Sequence, residues 1–164
     1  METSEPPPGC LYLAVFILLL AASAFFSASE SSFLAASRLH LRYLKEKGDR
    51  RALRAGRLLR HKTFFLNSIL VGNNAVNVAL SSIATSLAIA LVGEAGIGAA
   101  TAATTVAILI FGEVVPKAIA LSRPESIALK FSLPLSVYVS IAAPIVAVIS
   151  AFSEFLGFLT GSRR

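Results

Sequence analysis

Charge is scarce in this chain. Charged residues fill 15% of its 164 positions, where a soluble domain usually carries about 25%. An ordinary water-soluble fold is therefore not expected. Cys10 is the only cysteine, so no intrachain disulfide can form. The stretch from Met1 to Gly9 has no Lys or Arg. A secretory signal needs a basic start, so Leu11 onward reads as a retained first span. Tryptophan is absent, which leaves Tyr12 as the interfacial anchor at one end of that span. The two histidines, His40 and His61, sit in a basic surface stretch. With no nucleophile–base pair in sight, an enzyme is not expected.

What is abundant is apolar. Hydrophobic residues make up 55% of the chain and the mean hydropathy is +0.75. They come as long runs: Leu11 to Phe26, Ile69 to Val92, Ile97 to Phe111 and Ile127 to Leu159. A run of about 20 residues crosses a hydrocarbon core of about 30 Å. The class is an all-α membrane protein built as one domain over residues 10–160.

The net charge of +6 is concentrated. Ten of the fifteen Lys and Arg residues lie between Arg38 and Lys62. Beside membrane spans, such a short basic loop marks the cytoplasmic side and meets anionic headgroups. Nucleic acid is not expected as a partner.

These rules give a topology. Residues 1–9 form an extracellular tail. Spans cover 10–36, 63–92 and 97–121. Residues 37–62 form amphipathic cytoplasmic helices with a turn at Gly48-Asp49, their apolar stripe made by Leu39, Leu53, Leu58 and Leu59. Gly93 to Gly96 is a tight external turn. Ser122 caps the next helix and Pro124 opens it. Pro134 and Pro144 divide residues 123–160 into two short juxtamembrane helices that dip in and return. The end, 161–164, is then cytoplasmic; a plain fourth span is the simpler alternative. The expected location is the plasma membrane. Small residues four apart, Ala75 with Ala79 and Ala84 with Ala88, suit close helix packing, within one chain or in a homodimer.

Three polar strings interrupt the apolar runs: Ser27 to Ser32 with Glu30, Gly72-Asn73-Asn74, and Gly112-Glu113-Val114-Val115-Pro116-Lys117. A carboxylate at membrane depth costs about 2.5–3.5 kcal/mol on insertion scales, so Glu30 and Glu113 need a reason to be there. At 1.5 Å per residue, Ser27 and Glu113 each lie about 24 Å from the outer face, and Asn73 about 15 Å from the inner one. All three fall between the midplane and the inner leaflet. Ser27 and Ser31 share a helix face, as do Asn73 and Asn77. Pro116 frees the Gly112 carbonyl, four residues back, and Gly72 loosens the second span. The donors are hydroxyls, amides, carbonyls and a carboxylate, which suit a hard cation such as Mg²⁺, Ca²⁺ or Na⁺. Several groups also have plain structural roles. Ser23, Ser29 and Ser32 are expected to bond their own backbone, Glu30 to be protonated or to pair with Lys117, and Lys117 to snorkel.

Phe26-Ser27-Ala28-Ser29-Glu30, Ile69 to Asn77, Phe111 to Lys117 and the basic Leu41 to Asp49 linker resemble, in order and spacing, the transmembrane domain of the CNNM/CorC magnesium transporter family. The resemblance implies three membrane helices, a juxtamembrane belt, a homodimer, and Mg²⁺ export coupled to Na⁺ entry by alternating access. Carried onto this chain, Ser27, Ser31, Gly72, Asn73 and Glu113 would hold the bare Mg²⁺. Asn77 joins them or binds Na⁺, while Gly112, Pro116, Lys117 and Glu30 form a second tier for ion binding or gating. The family's cytosolic nucleotide-sensing pair would begin where Arg164 stands, so ATP regulation is not carried over. A passive Mg²⁺ channel and a non-transporting membrane anchor are the alternatives.

Overall fold

The computed structural model describes residues 8–93 and 96–159. The outer parts of both expected tails, 1–7 and 160–164, and the middle of the Gly93 to Gly96 turn lie outside the described residues. Every regular element described is helical: α1 (Pro8–Ala35), α2 (Arg38–Glu46), α3 (Arg50–Arg60), α4 (Lys62–Val92), α5 (Ile97–Ala107), a π-helical segment (Ile108–Val114), α6 (Val115–Ser122) and α7 (Pro124–Leu159).

Among the described residues, four stretches are long and apolar enough to cross a membrane: Leu11–Ala35, Lys62–Ile89, Ile97–Ser122 and Pro124–Phe152. The three expected spans are among them. The fourth corrects an expectation. Residues 124–159 form one continuous helix, with Pro134 and Pro144 inside it, not two short pieces. In apolar surroundings a helix tolerates an internal proline, because neighbouring helices and Ser side chains re-satisfy the freed groups. Ser132, Ser136 and Ser140 donate to the carbonyls of Leu129, Leu133 and Ser136, neighbours of the Lys130 and Ser140 carbonyls that the two prolines leave without a donor.

The chain reverses where local chemistry dictates. α1 ends at Ala35, and Ser37 takes an extended conformation and caps α2 by accepting from the His40 N–H. Gly48, at φ 86°, supplies the left-handed turn that side chains resist. Asp49 then caps α3, its Oδ1 accepting from the Arg51 N–H at 2.6 Å. The α2–α3 hairpin is as read from sequence, but its apolar stripe is not. Leu39 is 80% exposed and Leu53 is exposed too; Leu41, Ala52 and Ala55 are buried instead, with Leu58 and Leu59 packed beside them. The inward face is thus set by small residues that let two short helices approach. Ser122 also departs from expectation: its hydroxyl donates back to Ile119 and closes α6, while Pro124 opens α7.

The core sits at the end of the bundle that carries the hairpin. Phe26, Phe33, Ala36, Leu41, Ala55, Phe65, Ile69, Ala128 and Leu135 form one buried cluster. Rings lock the helices together there: Phe33 with Phe65, Phe25 with Phe131 and Phe26 with Tyr138, each with centroids 4.8 Å apart. Ser37 N–H donates to Glu125 Oε1 at 3.2 Å, tying the α1–α2 corner to the start of α7. The opposite end is looser. An apolar cavity of about 300 Å³ lies there between α1, α4 and α5, lined by Leu13, Phe16, Ala84, Ala88 and Ala103 among others. Many large apolar side chains face outward, including Leu18, Val78, Val114 and Ile141. Exposure on that scale marks a surface made for lipid.

Candidate functional site

α1 and α4 run antiparallel, and α1 and the α5–α6 rod run parallel. One hydrogen-bonded chain crosses all three. Ser23 Oγ donates to Asn77 Oδ1 at 2.8 Å. The Asn77 amide nitrogen donates to Glu113 Oε1 at 3.3 Å. Asn77 is therefore the central bridge between the serine helix and the carboxylate. Ser23 had been expected to bond its own helix, as Ser29 and Ser32 do, to Phe25 and Ser29 carbonyls. The spacing Ser23, Ser27, Ser31 was the available signal: three hydroxyls, each four residues apart, on one face.

The next turn holds Ser27 and Asn73. Because Ser23 bonds Asn77 across antiparallel helices, a step of four residues toward the hairpin end reaches Ser27 on α1 and Asn73 on α4. Ser27 is fully buried. Its Oγ and the Asn73 Oδ1 are enclosed and have no hydrogen-bond partner. An unpaired buried polar group costs about 1–3 kcal/mol. Two such oxygens at one level of a bundle call for an explanation. Ser31 lies one turn further along and is half-buried.

Among the described residues Glu113 has no cationic partner, since Lys117 Nζ goes to Glu30 Oε2 at 3.4 Å. Glu30 is thus paired, one of the two fates the sequence allowed it, and Glu113 is left facing an amide. The carboxylate lies in the π-helical segment, where Val115 N–H reaches back five residues to Ile110. π segments of this kind appear often at functional sites. Pro116 follows the segment, in the first turn of α6.

The two glycines sit where neighbouring helices pack closely. α4 runs unbroken through Gly72. A β-carbon on Gly72 would lie 2.8 Å from the Phe26 and Tyr138 rings; Tyr138 itself donates to the Ser68 carbonyl at 2.8 Å. A β-carbon on Gly112 would lie 2.9 Å from Ser23 Oγ. Each glycine therefore sets how closely a neighbouring helix approaches the polar chain. Tyr138 went unread in the sequence because nothing in α7's apolar run marks which face it turns inward.

No three His, Cys, Asp or Glu side chains cluster among the described residues. The donors gathered here are a carboxylate, amides and hydroxyls, a set matched to hard cations.

Residues 14–163 match the family model described as the cyclin M (CNNM) transmembrane N-terminal domain. The chain is 35% identical over 139 residues to the UPF0053 inner membrane protein YfjD of Escherichia coli, covering 85% of this chain and 32% of that protein. It is also 35% identical over 147 residues to a UPF0053 protein of Haemophilus influenzae, covering 90% of this chain and 35% of that one. A chloroplastic DUF21 domain-containing protein of Arabidopsis thaliana matches at 36% over 140 residues, 85% of this chain and 21% of its own length. The chain thus spans about a third of the two bacterial relatives. A multi-pass helical bundle, a carboxylate bridged across three helices and a match over nearly the whole sequence lead to one conclusion: the chain belongs to the CNNM transmembrane-domain family.

Proposed function

We propose that this chain carries Mg²⁺ across a membrane, as the transport domain of a Na⁺-coupled exporter that works by alternating access. The observation that carries the reading is the pair of enclosed, partnerless oxygens, Ser27 Oγ and Asn73 Oδ1, one turn from Glu113. Neutral oxygens can replace hydration water around a small dication, and one carboxylate lowers the cost of stripping that water. Ser31 would extend the oxygen ladder toward the hairpin end. Asn77 would hold Glu113 in place before the ion arrives and join the shell or a Na⁺ site after. The Glu30–Lys117 pair, on the hairpin side of the site, would act as the gate there. Gly72 and Gly112 would fix the helix spacing.

The same reading sets the surroundings. The basic α2–α3 hairpin faces the cytoplasm and its anionic headgroups, and the N-terminus is outside the plasma membrane. The protein is a carrier and not an enzyme. Two copies pair: Gly98 with Ala102 leaves small, exposed residues four apart on α5, a face on which membrane helices associate.

The test is Mg²⁺ flux into liposomes holding the purified chain. Glu113→Gln, which keeps shape and removes charge, is expected to reduce flux to the level of empty liposomes. Wild-type flux in that variant would remove Glu113 from the site. Flux that ignores an imposed Na⁺ gradient would replace the exchanger with a channel.

A further inference from the structure

A second group of cations lies away from the ion path. Arg51 and Arg54 of α3 and Lys130 of α7 line a pocket of about 460 Å³, with Leu129 and Leu133 as its other walls. No acidic side chain lines it. None of the three cations makes an ion pair among the described residues; the pairs there are Arg42–Glu46 and Lys117–Glu30. Arg54 Nε is enclosed and has no hydrogen-bond partner. Glu125, the acid nearest in sequence on α7, already accepts from the Ser37 N–H. Three like charges in one pocket, one of them with an unsatisfied donor, leave it short of an anion.

We propose that this pocket binds the phosphate of one anionic phospholipid, whose acyl chain lies along α7. The position argues for a lipid over a free phosphate. Lys130 is six residues past the start of α7, about 9 Å along the helix axis, at the depth where headgroups meet hydrocarbon. Two of the pocket walls are leucines. From Leu133 an apolar track continues at four-residue steps, with Leu133 54%, Val137 53% and Ile141 71% exposed. A soluble anion has no use for such a track, and an acyl chain does. Arg54 would give its Nε–H to a phosphate oxygen, and Arg51 and Lys130 would flank it. The bound lipid would staple α3 to α7 from two helices at once. This goes beyond the general attraction of the basic hairpin for headgroups, because Lys130 lies outside that hairpin, and it does not rest on the transport reading.

The experiment is native mass spectrometry of the full chain in neutral detergent, titrated with palmitoyl-oleoyl phosphatidylglycerol or the matching phosphatidylcholine. One phosphatidylglycerol should be retained per chain, in preference to phosphatidylcholine. At roughly fivefold per cation, Lys130→Gln should weaken retention about fivefold and the R51Q/R54Q/K130Q triple about a hundredfold. The control removes equal charge elsewhere, as R38Q/R42Q/K45Q, and should leave the retained lipid in place. Equal losses in both triples would reduce the effect to diffuse attraction and overturn the site. Displacement by inorganic phosphate at the lipid's own concentration would overturn the lipid assignment. Lys130 is exposed, so Lys130→Gln decides the matter even if the triple fails to fold; unchanged retention in it sinks the proposal.

Discussion

Gly112→Ala puts the closest contact of the site under strain. In an ordinary exposed helix, replacing Gly by Ala stabilises by about 1 kcal/mol. At position 112 the new methyl would meet Ser23 Oγ at 2.9 Å. The hydroxyl must swing away, and the 2.8 Å bond to Asn77 goes with it. Leaving the Asn77 oxygen unpaired costs about 1–3 kcal/mol. The net is a destabilisation of about 1 kcal/mol. In a Ser23→Ala background that bond is already gone. The remaining neighbours, the residue 23 β-carbon at 3.4 Å and Leu20 Cδ1 at 3.5 Å, are ordinary contacts. There the same substitution should stabilise by up to about 1 kcal/mol. The sign of the effect therefore reverses between backgrounds, a coupling of about 2 kcal/mol. Unfolding of the four proteins of this cycle in one detergent, followed by helical circular dichroism, measures it. A Gly112→Ala that stabilises both backgrounds alike would refute the packing of Ser23 on Gly112, and with it the three-helix chain.

Two further outcomes separate ligand roles from packing roles. Ser27→Ala removes an unpartnered buried oxygen, so the Mg²⁺-free protein should gain about 1 kcal/mol while calorimetric Mg²⁺ affinity falls; a loss of stability without Mg²⁺ would mean that the hydroxyl has a structural partner. Gly72→Ala should cost about 1–3 kcal/mol through overpacking against Phe26 and Tyr138, measured by the same unfolding assay; unchanged stability with lost Mg²⁺ binding would restore an open carbonyl at Gly72.

Much of this was legible in the sequence because bilayer physics is coarse. Run length and charge scarcity are enough to place α1, α4 and the α5–α6 rod within a residue or two. Gly48 and Asp49 announce the hairpin turn by backbone chemistry alone. Glu113 was found because a carboxylate in an apolar run has few bland explanations, and the Glu30–Lys117 pair because opposite charges at one depth seek each other. What stayed hidden depends on rotation about helix axes. Ser23 differs from Ser29 only in which neighbour it faces. Leu39 and Leu41 are indistinguishable by hydropathy, yet one is outside and the other buried. Pro134 and Pro144 looked like breaks because in water they would be; in apolar surroundings a helix runs on through them. No propensity rule foretells a five-residue turn.

That wide turn has a bearing on how relatives of this chain are compared. A five-residue turn holds one residue more than an α-helical one, so deleting one residue from 108–114 would let the segment close as ordinary α-helix. Lys117 would still face Glu30 and Ala120 its buried seat, but the side chains inside the turn would be re-aimed. A hydropathy plot of the shortened sequence would look the same. The count of residues between the loop at Gly96 and Pro116, more than their kind, is what keeps the acid aimed at its asparagine.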